Sequence, residues 1–132
     1  MIKKKKIVSY NDLEVYQRSY NACLLVMKFI IPHLPESEKH DLKDQLSRSS
    51  KAVPRLIAEG FAKKYQKKGF QKYLYDAIGE SNETQVSLSQ CKDIYQINVI
   101  VTDNNVNLVE EYEIISKQLF RLKEAWDKFS HE

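Results

Sequence analysis

The chain has 132 residues, the size of one domain, with 42% hydrophobic and 30% charged residues. That apolar share is enough for a core and excludes a disordered chain, while three glycines and three prolines are too few for a many-turned β-sandwich or barrel. The net charge of +3 is mild, but residues 1–72 carry 16 Lys/Arg against 7 Asp/Glu and residues 73–132 carry 5 against 11, an asymmetry that points to an anionic partner for one surface or to complementary charge between packed helices or subunits.

Residues 1–10, with Lys3 to Lys6, read as a basic N-terminal arm, and residues 11–132 as the folded unit. No apolar segment follows the lysines, so a secretory leader is not expected, and no run is long and apolar enough to span a membrane. Asn11 or Asp12 can cap a first helix. Its apolar stripe is Leu13, Tyr16, Tyr20, Cys23, Leu24, Met27 and Ile31, at steps of three and four. Pro32 and Pro35 end it.

Glu36 and Ser37 open a second helix with the stripe Leu42, Leu46, Ser49, Val53, Leu56, Ile57 and Phe61. Pro54 lies inside that stripe and predicts a kink rather than a break, because the spacing continues beyond it. Gly60 costs helix stability and predicts close packing against a neighbour. Lys63 to Gly69 reads as a loop. The third helix carries Phe70, Leu74, Ala77, Ile78, Ser81, Gln85, Leu88, Cys91 and Tyr95, with a small, polar centre. Residues 97–101 (Ile-Asn-Val-Ile-Val) are β-branched and read as the tail of helix three or the loop after it, with a short strand as the alternative. Asp103-Asn104-Asn105 is a turn signal. The last helix carries Val109, Tyr112, Ile115, Leu119, Leu122, Trp126 and Phe129. Short connections then favour an all-α, antiparallel up-down-up-down four-helix bundle.

Cys23 and Cys91 fall in apolar stripes and read as reduced, buried thiols of a cytoplasmic protein. Of His33, His40 and His131, only the first two have a carboxylate at ligand spacing, Glu36 and Asp44, and solvated histidines are the stronger reading, so no metal or other cofactor is expected. The chain has no nucleophile elbow and no glycine-rich phosphate loop. Glu80 and Glu83, one turn apart on helix three, are the only paired carboxylates worth weighing as an acid/base couple. Pairing with cations of another helix is the simpler reading, and an enzyme is not expected. Arg48 and Arg55 share a face of helix two. A hairpin turning near residue 67 sets Arg48 opposite Glu83, as a structural ion pair, and Arg55 opposite Ile78 to Glu80.

The strongest chemical feature is basic. Residues 48–72 hold Arg48, Lys51, Arg55, Lys63, Lys64, Lys67, Lys68 and Lys72 against Glu59 alone, with Tyr65, Phe70 and Tyr73 interleaved. Clustered Lys and Arg bind phosphate backbones, and exposed aromatics stack on unpaired bases. A solvated loop with its aromatics turned inward gives the same pattern, and for Phe70 the core reading is stronger.

Several stretches together resemble the four-helix-bundle proteins encoded within intervening sequences of bacterial 23S rRNA genes. They are Leu13-Glu14-Val15-Tyr16, Leu34-Pro35, Gln45-Leu46-Ser47-Arg48-Ser49-Ser50, Ile57-Ala58-Glu59-Gly60-Phe61, Phe70-Gln71-Lys72-Tyr73-Leu74 and Ala77-Ile78-Gly79-Glu80-Ser81-Asn82-Glu83. The resemblance covers roughly residues 10–126. The chain departs from many members at Glu80, where they have Ser, and at Pro54, where they do not have Pro. The resemblance implies a compact bundle without established catalytic residues. It also implies kinship with the accessory variability determinants of diversity-generating retroelements, pentamers that bind nucleic acid and a reverse transcriptase.

The expectation is therefore a non-enzymatic nucleic-acid-binding accessory protein that assists a reverse transcriptase or is associated with an rRNA intervening sequence. Its phosphate contacts are Arg55, Lys63, Lys64, Lys67, Lys68 and Lys72, its partners RNA or DNA, and its state a homo-oligomer, pentameric by analogy. The alternative is a homo-oligomeric assembly module that binds no nucleic acid.

Overall fold

The apolar stripes resolve into four helices packed around one core: α1 (Glu14–Leu25), α2 (Leu42–Ala62), α3 (Gly69–Tyr95) and α4 (Leu108–Ser130). The computed structural model describes residues 6–101 and 105–130. Lys3 to Lys5 of the basic arm, Asp103, Asn104, His131 and the side chain of Phe129 lie outside the described residues. Among those described, no helix is long and apolar enough to cross a membrane.

On α2 and α4 the burial follows the sequence stripe. Leu42, Leu46, Ser49, Val53, Ile57 and Phe61 are buried on α2, and Tyr112, Ile115 and Leu119 on α4. The helix does not divide at Pro54: α2 is one element across it. Its start differs from the sequence reading. Glu36–Glu38 is a separate 3₁₀ turn, and α2 begins only at Leu42. Glu38 explains the offset, because its carboxylate accepts from the Leu42 amide (3.3 Å) and so caps the helix from four residues upstream.

The first helix is phased differently from its predicted stripe. Its inward residues are Val15, Ser19, Ala22 and Cys23, continued by Val26 and Ile30 in a wider π-type turn. Tyr20 and Leu24 are 49% and 39% exposed. Small Ser19 and Ala22 let the α1 backbone come close to the bundle, and the bulky side chains one position on are displaced to the flank that faces α2. Asp12 stands at the end of a 3₁₀ turn, Tyr10–Asp12, before α1. Its carboxylate accepts from the amides of Val8 and Ser9 (2.9 and 3.0 Å), upstream of the helix.

The segment after α3 is extended, not a helical tail. Gln96 takes the left-handed conformation (φ 54°), and the Ile97 amide reaches back to the Cys91 carbonyl (3.3 Å), which closes the helix. Ile97, Val99 and Val101 then turn inward while Asn98 and Ile100 face out, the period of a strand. Ile100–Val101 (β1) pairs antiparallel with Val106–Asn107 (β2), and the Asn107 side chain caps α4 through the amides of Val109 and Glu110.

Helices α2 and α3 meet beside the turn and again along their length. Arg48 and Ser49 bond to Glu83 and Thr84, while Phe61 stacks edge-on against Phe70. Gly60 permits the second contact: a Cβ there would stand 2.6 Å from the Cβ of Tyr73 and 3.0 Å from the Phe70 ring. The Ser49–Thr84 contact belongs to a layer of buried hydroxyls. Thr84 donates to Ser49 (2.8 Å), and Ser81 contacts both the Tyr112 carbonyl (3.2 Å) and Ser116 (2.7 Å) on α4.

These packing distances separate two glycines. Gly60→Ala should destabilise the fold by roughly 1–3 kcal/mol through overpacking. Gly79 has nothing within 4 Å of an added Cβ, so Gly79→Ala should stabilise α3 by about 0.5–1 kcal/mol through helix propensity alone. Chemical denaturation of the two variants checks both signs.

Candidate nucleic-acid interface

The loop between α2 and α3 spans residues 63–68, and its shape is set by glycine. A Cβ on Gly69 would stand 2.3 Å from the Lys63 carbonyl, so only glycine lets the chain double back this tightly. Lys68 enters α3 in the left-handed conformation (φ 54°), which a side chain other than Gly or Asn adopts at a cost of about 1 kcal/mol or more. Lys63, Lys64, Lys67, Lys68 and Lys72 are thus gathered at one end of the α2–α3 hairpin. Lys63, Lys67, Lys68 and Lys72 are exposed and Lys64 is half-buried.

Their direct contacts are aromatic, with Glu59 acting on Lys63 through its charge alone. Lys63 donates to the Tyr73 hydroxyl (2.6 Å) and lies 4.8 Å from the centre of that ring. Tyr73, first through that hydrogen bond, and to a lesser extent the Glu59 charge raise the Lys63 pKa. Lys64 stands 3.9 Å from the Phe61 ring centre and 4.8 Å from that of Tyr65, which is 89% exposed. Phe70 is fully buried, on the core side.

Some cations elsewhere are paired with acids. Arg18 pairs with Glu14 and Glu111, Lys43 with Glu36, Lys117 with Glu113 and Lys123 with Asp127. No ion pair within 4.0 Å joins any of the five hairpin lysines to an acid among the described residues. Lys67, Lys68 and Lys72 also crowd the α3 N-terminus, whose first turn holds no acidic residue. The helix dipole is positive there, so cations are placed against the usual preference.

Arg55 is exposed but stands apart, two turns before Lys63 along α2, or about 12 Å at 1.5 Å per residue. It does not pair across to the Ile78–Glu80 stretch of α3. Its side chain lines a groove between α1 and α2, together with Lys51, Tyr16 and Tyr20. Sequence reasoning missed this setting, because it counted Lys51 only as charge and took the tyrosines as core.

Arg48 lies farther from the turn, along α2. Its guanidinium spans Glu83 (2.7 Å) and Glu80 (3.6 Å). Burial, and then the Glu83 charge, push the Glu80 carboxyl above the usual glutamate range, against the pull of Arg48. The two carboxylates therefore share one cation. Among the described residues no group of three or more His, Cys, Asp or Glu could hold a metal ion. Both thiols are free and buried, and burial, with a smaller contribution from Glu38, pushes Cys91 up to about 11.

Against known proteins, one family model matches: 23S rRNA-intervening sequence protein, over residues 11–121, a stretch that contains the hairpin and both helices of the groove. No curated protein and no solved structure matches the chain.

The raised Glu80 pKa has a sign that can be tested. The folded state holds this proton more tightly than the unfolded chain, so the group adds stability as pH falls through its folded pKa towards the ordinary glutamate value. Glu80→Gln should therefore match or exceed the parent in stability at pH 7. The difference should shrink as pH falls towards 4.5, read from urea midpoints across that range.

Proposed function

The chain belongs to the 23S rRNA-intervening sequence protein family, and from that premise we propose that it is a non-enzymatic accessory protein that binds RNA or DNA through the α2–α3 hairpin. The observation that carries the proposal is the concentration of unpaired cations at one turn: Lys63, Lys64, Lys67, Lys68 and Lys72 gather at one end of the hairpin with no ion pair within 4.0 Å among the described residues. Three of them also oppose a helix dipole, an arrangement that an incoming phosphate would relieve. Arg55 extends the footprint along α2. Neutralisation of phosphates by point charges reads little sequence, so the target is recognised by charge and strandedness. The proposed setting is the cytoplasm, beside a reverse transcriptase or an rRNA intervening sequence, in a homo-oligomer that the retroelement analogy makes pentameric.

A second reading has its own observation. A groove of about 550 Å³ between α2 and α3 is lined by Glu38, Asp41 and Glu83 with no cation among its lining residues. In charge it suits the lysine hairpin of another copy. On that reading the chain is an assembly module without nucleic-acid affinity, and salt dissociates the oligomer.

Two measurements separate the readings and test the first. Affinity for single-stranded RNA should fall with salt at a log–log slope of about −4, from six cations at roughly 0.7 each. Replacing Lys63, Lys64, Lys67 and Lys68 together by Glu should abolish binding, with circular dichroism confirming the helices and the Gln versions showing an intermediate loss. Unchanged affinity in the Glu variant sinks the assignment. Lys68 gives a sharper test, because its charge and its backbone pull in opposite directions. Lys68→Gly should raise stability by up to about 1 kcal/mol by relieving the left-handed residue, while weakening RNA binding.

A further inference from the structure

The bundle has two grooves of opposite chemistry. The α2–α3 groove is acidic. The α1–α2 groove, a cavity of about 360 Å³, has no Asp or Glu among its lining residues and is lined by three tyrosines and two cations. We propose that this α1–α2 groove is a base-stacking site for single-stranded nucleic acid, with the rings of Tyr10 and Tyr20 taking unpaired bases while Lys51 and Arg55 meet the flanking phosphates. The proposal rests on the nucleic-acid reading above and adds to it a second contact, of a different kind from the hairpin lysines.

Three observations carry it. The first is aromatic exposure that the fold does not use. Tyr16 packs against the core, with its ring 4.8 Å from Tyr10 and 6.0 Å from Tyr20, but Tyr10 and Tyr20 remain 36% and 49% exposed. Tyr16 thus supports two outer rings that have open faces, the arrangement of a stacking platform. The second is charge. Lys51 and Arg55 lie one turn apart on α2 and border the groove, and among the described residues neither has an ion-pair partner within 4.0 Å. An anionic, flat, partly apolar ligand matches such a lining, and a nucleotide strand is one. The third is continuity. Arg55 is followed two turns later by Lys63, so a strand whose phosphates follow α2 runs from the tyrosine groove to the lysine hairpin over about 12 Å, or two to three nucleotides of an extended backbone. A duplex keeps its bases stacked inside and cannot use the groove.

The test compares a 20-nucleotide oligouridylate with an RNA duplex of the same length, at one salt concentration, by fluorescence anisotropy. Tyr20→Leu keeps apolar bulk and removes the ring. It should weaken single-strand binding about ten-fold and leave duplex binding and the salt slope unchanged, and Tyr20→Phe should bind as the parent does. Parent-like single-strand binding by Tyr20→Leu overturns this inference while leaving the hairpin reading intact. So does an altered mass by light scattering with binding unaffected, because a second copy of the chain then fills the groove. If the parent binds neither probe, both readings fall together.

Discussion

The closeness of α2 to α3 is the constraint on which the polar features of this bundle depend. Two glycines set it, one on each side of the turn. Gly60 lets Tyr73 and Phe70 lie against the α2 backbone, and Gly69 lets the chain pass beneath the Lys63 carbonyl. With the backbones held at this distance, six residues suffice for the connection, and the lysines in it have nowhere to go but outward. The aromatic rings that fill the end of the hairpin, Phe61 and Tyr73, then become the surface on which Lys63 and Lys64 rest. Cation–π contact holds an ammonium in place without cancelling its charge, as a carboxylate would. The hairpin is thereby ordered and still strongly positive.

The middle of the interface works by a different principle. Leucines pack in many registers, but a buried hydroxyl tolerates only the register that gives it a partner. Ser49 with Thr84, Ser50 with Cys23, and Ser81 with Ser116 join all four helices through short side chains. Arg48 closes the layer at the surface, where it holds Glu80 and Glu83 together. Exposed ion pairs of this kind contribute little net stability, on the order of 0–1 kcal/mol. Their value here lies in alignment: Arg48 bonds one residue before the Ser49–Thr84 contact and fixes the same register from outside.

Much of this was legible in the sequence, and the exceptions have physical causes. The α2 and α4 stripes were readable because large aliphatic residues mark the inward face. On α1 the inward face is marked by Ser19 and Ala22, and a reading that follows bulk selects Tyr20 and Leu24 instead. The π-type turn at Val26–Ile30 shifts the phase again. The Ile97–Val101 segment shows alternation only once Asn98 and Ile100 are known to face outward, since four of its five residues are apolar. The basic hairpin was visible as composition, and the Arg48–Glu83 contact followed from counting residues around the turn. The tyrosine groove was not visible, because it exists only where α1 lies beside α2, and no local spacing encodes that apposition.

The brevity of the α2–α3 turn also bears on how the chain acquires its shape. Closing a loop of six residues loses little chain entropy, whereas joining Glu14 and Arg18 to Gln118 and Glu111 must bring together segments about a hundred residues apart. The central hairpin is therefore the natural nucleus, with the outer helices condensing on it afterwards. Yet the turn that must close first gathers four lysines, whose mutual repulsion slows its closure at low ionic strength. Dissolved salt screens that repulsion, so the medium that hastens the birth of the native state is the one that would weaken the proposed grip on a polyanion.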